Sequence, residues 1–327
     1  MAGFCADVDS LFRNNDRGQD DKFIPTSQQS VYGKMNVHDI KIQLSTDLGE
    51  PVEINPIHDA DFKNEVPDAT RKFRVQTPSG AEFFLIVSGS GNPRLMDRAV
   101  ANIRSVRANV SAEVASHILQ PVAAGVDGSM SYAVWQAKKP FPLKGRLERF
   151  FAHSRYAGPV LNWSKNLTCE TLKDSDLSTS IGNLQAIYNE EAFPELMRDD
   201  ALKAEQRARA GTWQPKHCIQ HGDFWSGNIL LPTERREPSF YIIDWAGMQF
   251  NGYPFLDLAR MLMSMRCRSR VCSHHIEDLR NRTKCDQLDT ISYTLSGLGD
   301  IRKNLEYFPL ERYQSMAIKV YNFMKRD

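Results

Sequence analysis

The chain has 327 residues, 41% hydrophobic and 25% charged, ordinary values for a soluble globular protein of two domains or one two-lobed unit. Its 41 Lys and Arg nearly cancel its 40 Asp and Glu, so a net charge of +1 demands neither a nucleic-acid nor a membrane partner. The start, "MAGFCADVDSLFRNNDRGQDDKF", has no basic segment followed by an apolar run, no stretch is long enough to span a bilayer, and the six cysteines are scattered. Those features predict a cytoplasmic protein with reduced thiols.

Residues 1–30 are polar and predict a flexible tail. From 52 to 88 the pattern is β. "VEINPI" is short and β-branched, and "RKFRVQT" alternates, with Phe73 and Val75 opposite Lys72 and Arg74. The turn "PSG" at 78–80 leads to "AEFFLIVSG", which predicts an antiparallel hairpin. "RLMDRAVANIRSVRANV" then has helical spacing, with Leu95, Val100, Ile103 and Val106 on one side. "SYAVWQ" at 131–136 predicts one more strand, and "AKKPFP" ends the β-rich region.

Most of the remainder reads as helix. Leu177, Ile181, Leu184 and Ile187 form one stripe, and Leu310, Tyr313, Ala317, Val320 and Met324 form another. Both are read as core-packing faces. "CRSRVCSHH" reads as a basic loop with free thiols, and zinc held by Cys267, Cys272, His275 and Cys285 is the alternative. The expected domains are the tail, an N-lobe with hinge at 31–137, and a helical C-lobe at 138–327.

A single stretch breaks the helical pattern. "CIQHGDFWSGNILL", 218–231, sets His, Asp and Asn between apolar segments. "NILL", a polar link "PTERREPS" and "FYIIDW" predict a second hairpin. Asn228 then opens its first strand and Asp244 closes its second, so the hairpin brings them side by side, with Asp223 one tight loop away. Hard magnesium ions take oxygen ligands, which suits Asn228 and Asp244. Asp223 is left to accept a proton from an attacking hydroxyl. Those are the components phosphoryl transfer requires.

The order His221-Gly222-Asp223, four residues, Asn228, then Asp244 parallels the H-R-D-x-x-x-x-N loop and metal-binding Asp of protein kinases. "HGDFWSGNIL" with "YIIDWAGMQFNGYPFLDLARML" resembles the aminoglycoside phosphotransferase and choline kinase-like group, and "HGDFWSGN" is also similar to the fructosamine kinase version. The resemblance implies an α+β, two-lobed protein-kinase-like fold and a small-molecule kinase using ATP and Mg2+. It implies that Asp223 is the catalytic base, that Asn228 and Asp244 are metal ligands, and that His221 fixes the loop. Asp257 is implied as a buried brace, with a helix N-cap as the plainer alternative. Trp225 reads as packing beside the loop. The adenine is expected against backbone groups of Gln136, Ala137 and Lys138.

The pattern also breaks. A strand lysine expected near Val87 or Ser88 is missing, and the next helix carries Asp97 but no Glu, with Glu113 just beyond. The loop "HDADFKNEVPDAT" has no glycine and offers Asp68 and Thr70. Lys72 and Arg74 are candidates to reach the phosphates, with a solvated strand face as the plainer reading of each. The alternative for the whole chain is a pseudokinase-like binding module. A metal-dependent phosphoesterase would need further His ligands, and only His217 and His221 lie near the knot in sequence. The acceptor stays open. "NEEAFPELMRDD", 189–200, is acidic, with a solvated helical face as its plainer reading, and "MRCRSR", 265–270, is basic.

Overall fold

The computed structural model describes residues 37–57, 70–143, 145–233, 239–305 and 308–326. The expected N-terminal tail and nearly all of the glycine-free loop, including Asp68, lie outside the described residues. The described chain divides into two compact units. One comprises residues up to 104 together with 119–138, and the other comprises 105–118 and 139–326.

The first unit is a five-stranded antiparallel sheet in the order β1-β2-β3-β5-β4. The strands are β1 (Glu53–Pro56), β2 (Arg71–Gln76), β3 (Glu82–Val87), β4 (Ala123–Asp127) and β5 (Met130–Gln136). The alternation in β2 places Val75 fully inside, while Lys72 and Arg74 are exposed. Helix α1 (Val37–Leu48) buries Ile40 and Leu44, one turn apart, against Val75, Leu85, Val87 and Val134. Neither α1 nor β4 stands out in the sequence. Only two α1 residues are buried, and "AAGVD" is a poor strand former. Gly125 belongs in β4 for a tertiary reason: a Cβ there would lie 2.7 Å from the Tyr132 hydroxyl.

Helix α2 (Leu95–Ala108) starts on a serine pair. Ser88 Oγ accepts from the Met96 N–H at 3.0 Å, Ser131 Oγ accepts from the Asp97 N–H at 3.2 Å, and the two hydroxyls lie 2.9 Å apart. Both serines are fully buried. The position expected to carry a lysine is thus filled by a hydroxyl that caps a helix.

The second unit holds α3 (Ala112–Ser116), α4 (Arg146–Glu170), α5 (Leu177–Tyr188), α6 (Glu195–Arg209), α7 (Leu256–Ser264), α8 (Ser269–Thr283), α9 (Gln287–Lys303) and α10 (Leu310–Arg326). It also carries two small antiparallel sheets. One is β10 (Tyr241–Ile242), β9 (Ile229–Leu231) and β6 (Lys139–Pro140); the other is β11 (Gln249–Gly252), β8 (Lys216–Gln220) and β7 (Lys173–Asp174). The α10 stripe is buried at Tyr313, Ala317, Val320 and Met324, and the α5 stripe at Leu184 and Ile187. Leu177 and Leu310, at the helix starts, are exposed.

Two expectations are corrected here. "CRSRVCSHH" is not a loop: from Ser269 it is the first two turns of α8, with Cys272 and His275 on its buried side. The acidic stretch 189–200 is not simply a solvated face. Glu190 pairs with Arg302 at 2.7 Å, and Asp200 accepts from the Tyr321 hydroxyl at 2.8 Å and pairs with Lys325 at 2.5 Å. Those carboxylates tie α6 and its approach to α9 and α10. Among the described residues no helix is long and apolar enough to cross a membrane.

Candidate active site

Strand β8 runs buried into His221, and the chain then turns sharply. Gly222 makes the turn at φ +82°, and a Cβ there would meet the Gly247 carbonyl oxygen at 2.4 Å. Only glycine satisfies both the left-handed backbone and the close approach. A single 3-10 turn, Ser226–Asn228, follows and delivers the chain into β9. Its first N–H is accepted by Ser264 Oγ at 3.0 Å, at the end of α7.

The hairpin closes as its spacing requires. Ile242 pairs with Ile229, and the Ile243 N–H donates to the Asn228 carbonyl at 3.1 Å. Asp244 comes next, exposed and at φ +67°. A non-glycine residue in that region costs about 1–3 kcal/mol, so the surrounding structure has to hold it there.

His221 is fully buried and joins the two halves. Its Nε2 donates to the Ile243 carbonyl at 2.9 Å, which leaves Nδ1 to accept the Asp223 N–H at 3.3 Å. Burial pushes its pKa down to about 4, so the ring is neutral at physiological pH. Asp257, in the first turn of α7, accepts from the His221 N–H at 2.6 Å and the Gly222 N–H at 3.3 Å. The N-cap of α7 is Phe255, not Asp257. Burial raises the Asp257 carboxyl to about 6 despite Arg260 and the two amides.

These two shifts give opposite pH trends. His221 has a depressed folded pKa, so its contribution is complete above its ordinary 6.5 and is lost as pH falls toward 4. Asp257 has a raised folded pKa, so its contribution is present below its ordinary 3.8 and is lost as pH rises through about 6. In His221→Asn the loss of stability between pH 7 and pH 5 is therefore expected to be smaller than in wild type. Urea unfolding at the two pH values measures it, and an equal or steeper loss in the variant would remove the burial argument.

Asp223 is held from three directions. Arg260 Nη2 pairs with Oδ1 at 2.6 Å, while Asn228 Nδ2 and Trp225 Nε1 donate to Oδ2 at 3.0 and 3.2 Å. Arg260 also donates through Nη1 to the Gly222 carbonyl. Burial opposes ionisation of Asp223, but Arg260, His221 and the donated hydrogen bonds outweigh it and hold the carboxyl below its usual range. The side chain is still 46% exposed, so a solvent-side reactant has access to it. Trp225 is thus a hydrogen-bond donor to the carboxylate as well as packing. Asn228 spends its Nδ2 on Asp223, which leaves Oδ1 as the oxygen able to face a cation.

Beneath the loop, Phe224 and Trp245 flank the polar residues and pack on Trp163 of α4 at ring distances of 5.6 and 6.2 Å. Sequence reasoning missed Arg260 and Trp163. "DLAR" contains Arg260 in plain view, but nothing in its spacing says that a residue 37 positions on returns to Asp223.

Asp223, His221, Asn228, Asp244 and Asp257 all lie in the second unit. Lys72, Arg74, Gln136, Ala137 and Lys138 lie in the first. There the Ala137 N–H is already given to the Glu82 carbonyl at 2.9 Å, and Lys138 is buried. Magnesium fits the donor set. Asn228 and Asp244 offer hard oxygen atoms at neighbouring strand ends, and among the described residues no group of three or more His, Cys, Asp or Glu forms a closed metal cage. Two protein ligands completed by phosphate and water are typical of this ion.

An antiparallel five-stranded unit, a mainly helical unit, and a loop of this composition make up the kinase-like phosphotransferase fold. Residues 178–275, which carry the knot, match the family model described as APH, the phosphotransferase enzyme family. The fold is shared with wild-type aminoglycoside 2'-phosphotransferase-IIIa in its GDP complex, at 14% identity and a TM-score of 0.50, over 89% of this chain and 98% of that one. It is also shared with a putative fructosamine-3-kinase from Thermobifida fusca, at 12% identity and a TM-score of 0.54, over 89% of this chain and 100% of that one. No curated protein sequence matches the chain.

Proposed function

We propose that the chain is a small-molecule kinase that moves the γ-phosphate of ATP to a hydroxyl group. The observation that carries this reading is the tethered Asp223 carboxylate, fixed by Arg260, Asn228 and Trp225 yet open on one side. A hydroxyl hydrogen-bonded to that carboxylate is aimed, and it gives up its proton to the carboxylate as its oxygen bonds to the γ-phosphorus and the bond from that phosphorus to the β–γ bridging oxygen breaks, releasing ADP. A low pKa suits this role, because little charge develops on the nucleophile of a loose transition state and positioning matters more than basicity. His221 keeps the loop and the strand end of Asp244 in one geometry, and Asp257 holds the turn before them. Asn228 and Asp244 would hold magnesium, which neutralises charge on the phosphates. ATP is proposed as the donor and Gln136 to Lys138 as the segment meeting its base, with Lys72 or Arg74 supplying charge to the phosphates.

One observation favours a second reading. Ser88, at the expected lysine position, joins Ser131 in capping α2, and Asp97 of α2 is paired with Arg94 at 2.5 Å. A chain so built would bind nucleotide weakly and act as a binding module.

A thermal melt with and without Mg-ATP, on wild type and Asp244→Asn, separates the two. A ligand present at about 100 times its dissociation constant stabilises by about 2.7 kcal/mol. Wild type is expected to shift only when magnesium and ATP are both present, and the variant is expected not to shift. No shift in wild type with any nucleotide would overturn the kinase reading.

A further inference from the structure

The first turns of α4 leave large apolar side chains in solvent. Leu147 is 72% exposed, Phe150 59% and Phe151 66%, and Leu143 just before the helix is 44% exposed. Leu147, Phe150 and Phe151 are spaced i, i+3 and i+4, so they share one face, and the two phenyl rings meet edge-on with centroids 5.7 Å apart. Exposed apolar residues scattered singly need no explanation, but a contiguous group of this kind marks an interaction surface.

The charge around the group is one-sided. Residues 139–155, "KPFPLKGRLERFFAHSR", hold five Lys or Arg and one acid, Glu148, in a chain whose net charge is only +1. Lys139 and Arg155 are exposed, and the guanidinium of Arg155 lies over the Tyr156 ring, 5.4 Å from its centroid. The near-neutral total conceals an excess of positive charge in the stretch of sequence that carries the aromatic and aliphatic face. Bulky apolar residues on one helix face with an excess of Lys and Arg close in sequence suit the headgroup region of an anionic bilayer. With no membrane-crossing helix among the described residues, such contact is peripheral.

We propose that Leu143 and the first turns of α4 form a docking surface for an anionic lipid bilayer. Phe150, Phe151 and Leu147 enter the headgroup and acyl boundary, while Lys139 and Arg155 meet lipid phosphates. The surface is independent of the phosphotransferase reading, because none of these residues belongs to the loop around Asp223.

The test is cosedimentation of the full chain with phosphatidylcholine vesicles, with and without phosphatidylserine, for wild type, F150S/F151S and K139E/R155E. Removing one surface charge lowers partitioning roughly fivefold. Wild type is expected to sediment only with the serine-containing vesicles and to be released by salt. Both double variants are expected to lose about tenfold or more in partitioning while melting as wild type does. Absence of wild-type binding, or undiminished binding by F150S/F151S, overturns the proposal. Light scattering on the same proteins tests a second copy as occupant: a wild-type dimer that F150S/F151S turns into a monomer, without vesicle binding, also overturns it.

Discussion

Asp223→Asn is expected to lower phosphoryl transfer by about 10²–10⁴-fold, which is roughly 3–5 kcal/mol of barrier. The substitution keeps the shape and an oxygen for the hydrogen bonds from Trp225 and Asn228, and it removes the group that accepts the proton. Arg260 loses its charged partner but retains the Gly222 carbonyl, and the carboxylate it leaves is nearly half exposed. The melting temperature is therefore expected to move by no more than a few degrees. Nucleotide affinity is expected to stay within a few-fold, because nucleotide contacts are assigned elsewhere. Steady-state kinetics with a melt on the same sample read all three quantities. Full transfer activity in a folded Asp223→Asn variant would show that another group takes the proton.

Gly222→Ala is expected to damage stability and activity together. At φ +82° an alanine pays about 1–2 kcal/mol for a left-handed backbone. Its Cβ would also sit 2.4 Å from the Gly247 carbonyl oxygen, which is backbone and cannot swing aside. Relieving such an overlap typically costs about 1–3 kcal/mol. The total loss is about 2–5 kcal/mol, read as a lower urea midpoint at unchanged slope. The relief itself separates the turn before Asp223 from the segment after Asp244, so transfer should fall even where the variant remains folded. An unchanged midpoint would mean that the turn is not held as tightly as the close approach requires.

The elements legible in the sequence are those written in local physics. Strand β2 alternates, so its register toward the core could be read residue by residue. The stripes of α5 and α10 recur at helical spacing. The hairpin was legible because it joins its own two ends: the strand before Asp244 had to pair beside Asn228, and the Ile243 N–H donates to the Asn228 carbonyl. Elements without such a pattern were missed. Helix α1 buries only two residues, and β4 depends on the fit of Gly125 under Tyr132. The segment after Cys267 looked like a basic loop because its charges hide the buried side of α8.

The order of the polar groups, the turn that needs glycine, and the oxygen donors available to a cation follow from the chain's residues alone. Which of several equally plausible residues does what was settled by packing. Asp257 could have capped its helix but reaches the His221 and Gly222 amides; Glu190 and Asp200 could have faced solvent but bind α9 and α10. Arg260 could have been one more surface cation, but it pairs with Asp223 and, against burial, helps hold that carboxyl below its usual range. The cause lies in the range of the forces. Periodicity and turn chemistry act between near neighbours and leave a trace in the order of residues. An ion pair or hydrogen bond across tens of residues depends on burial and on which faces meet, and neither is recorded in spacing.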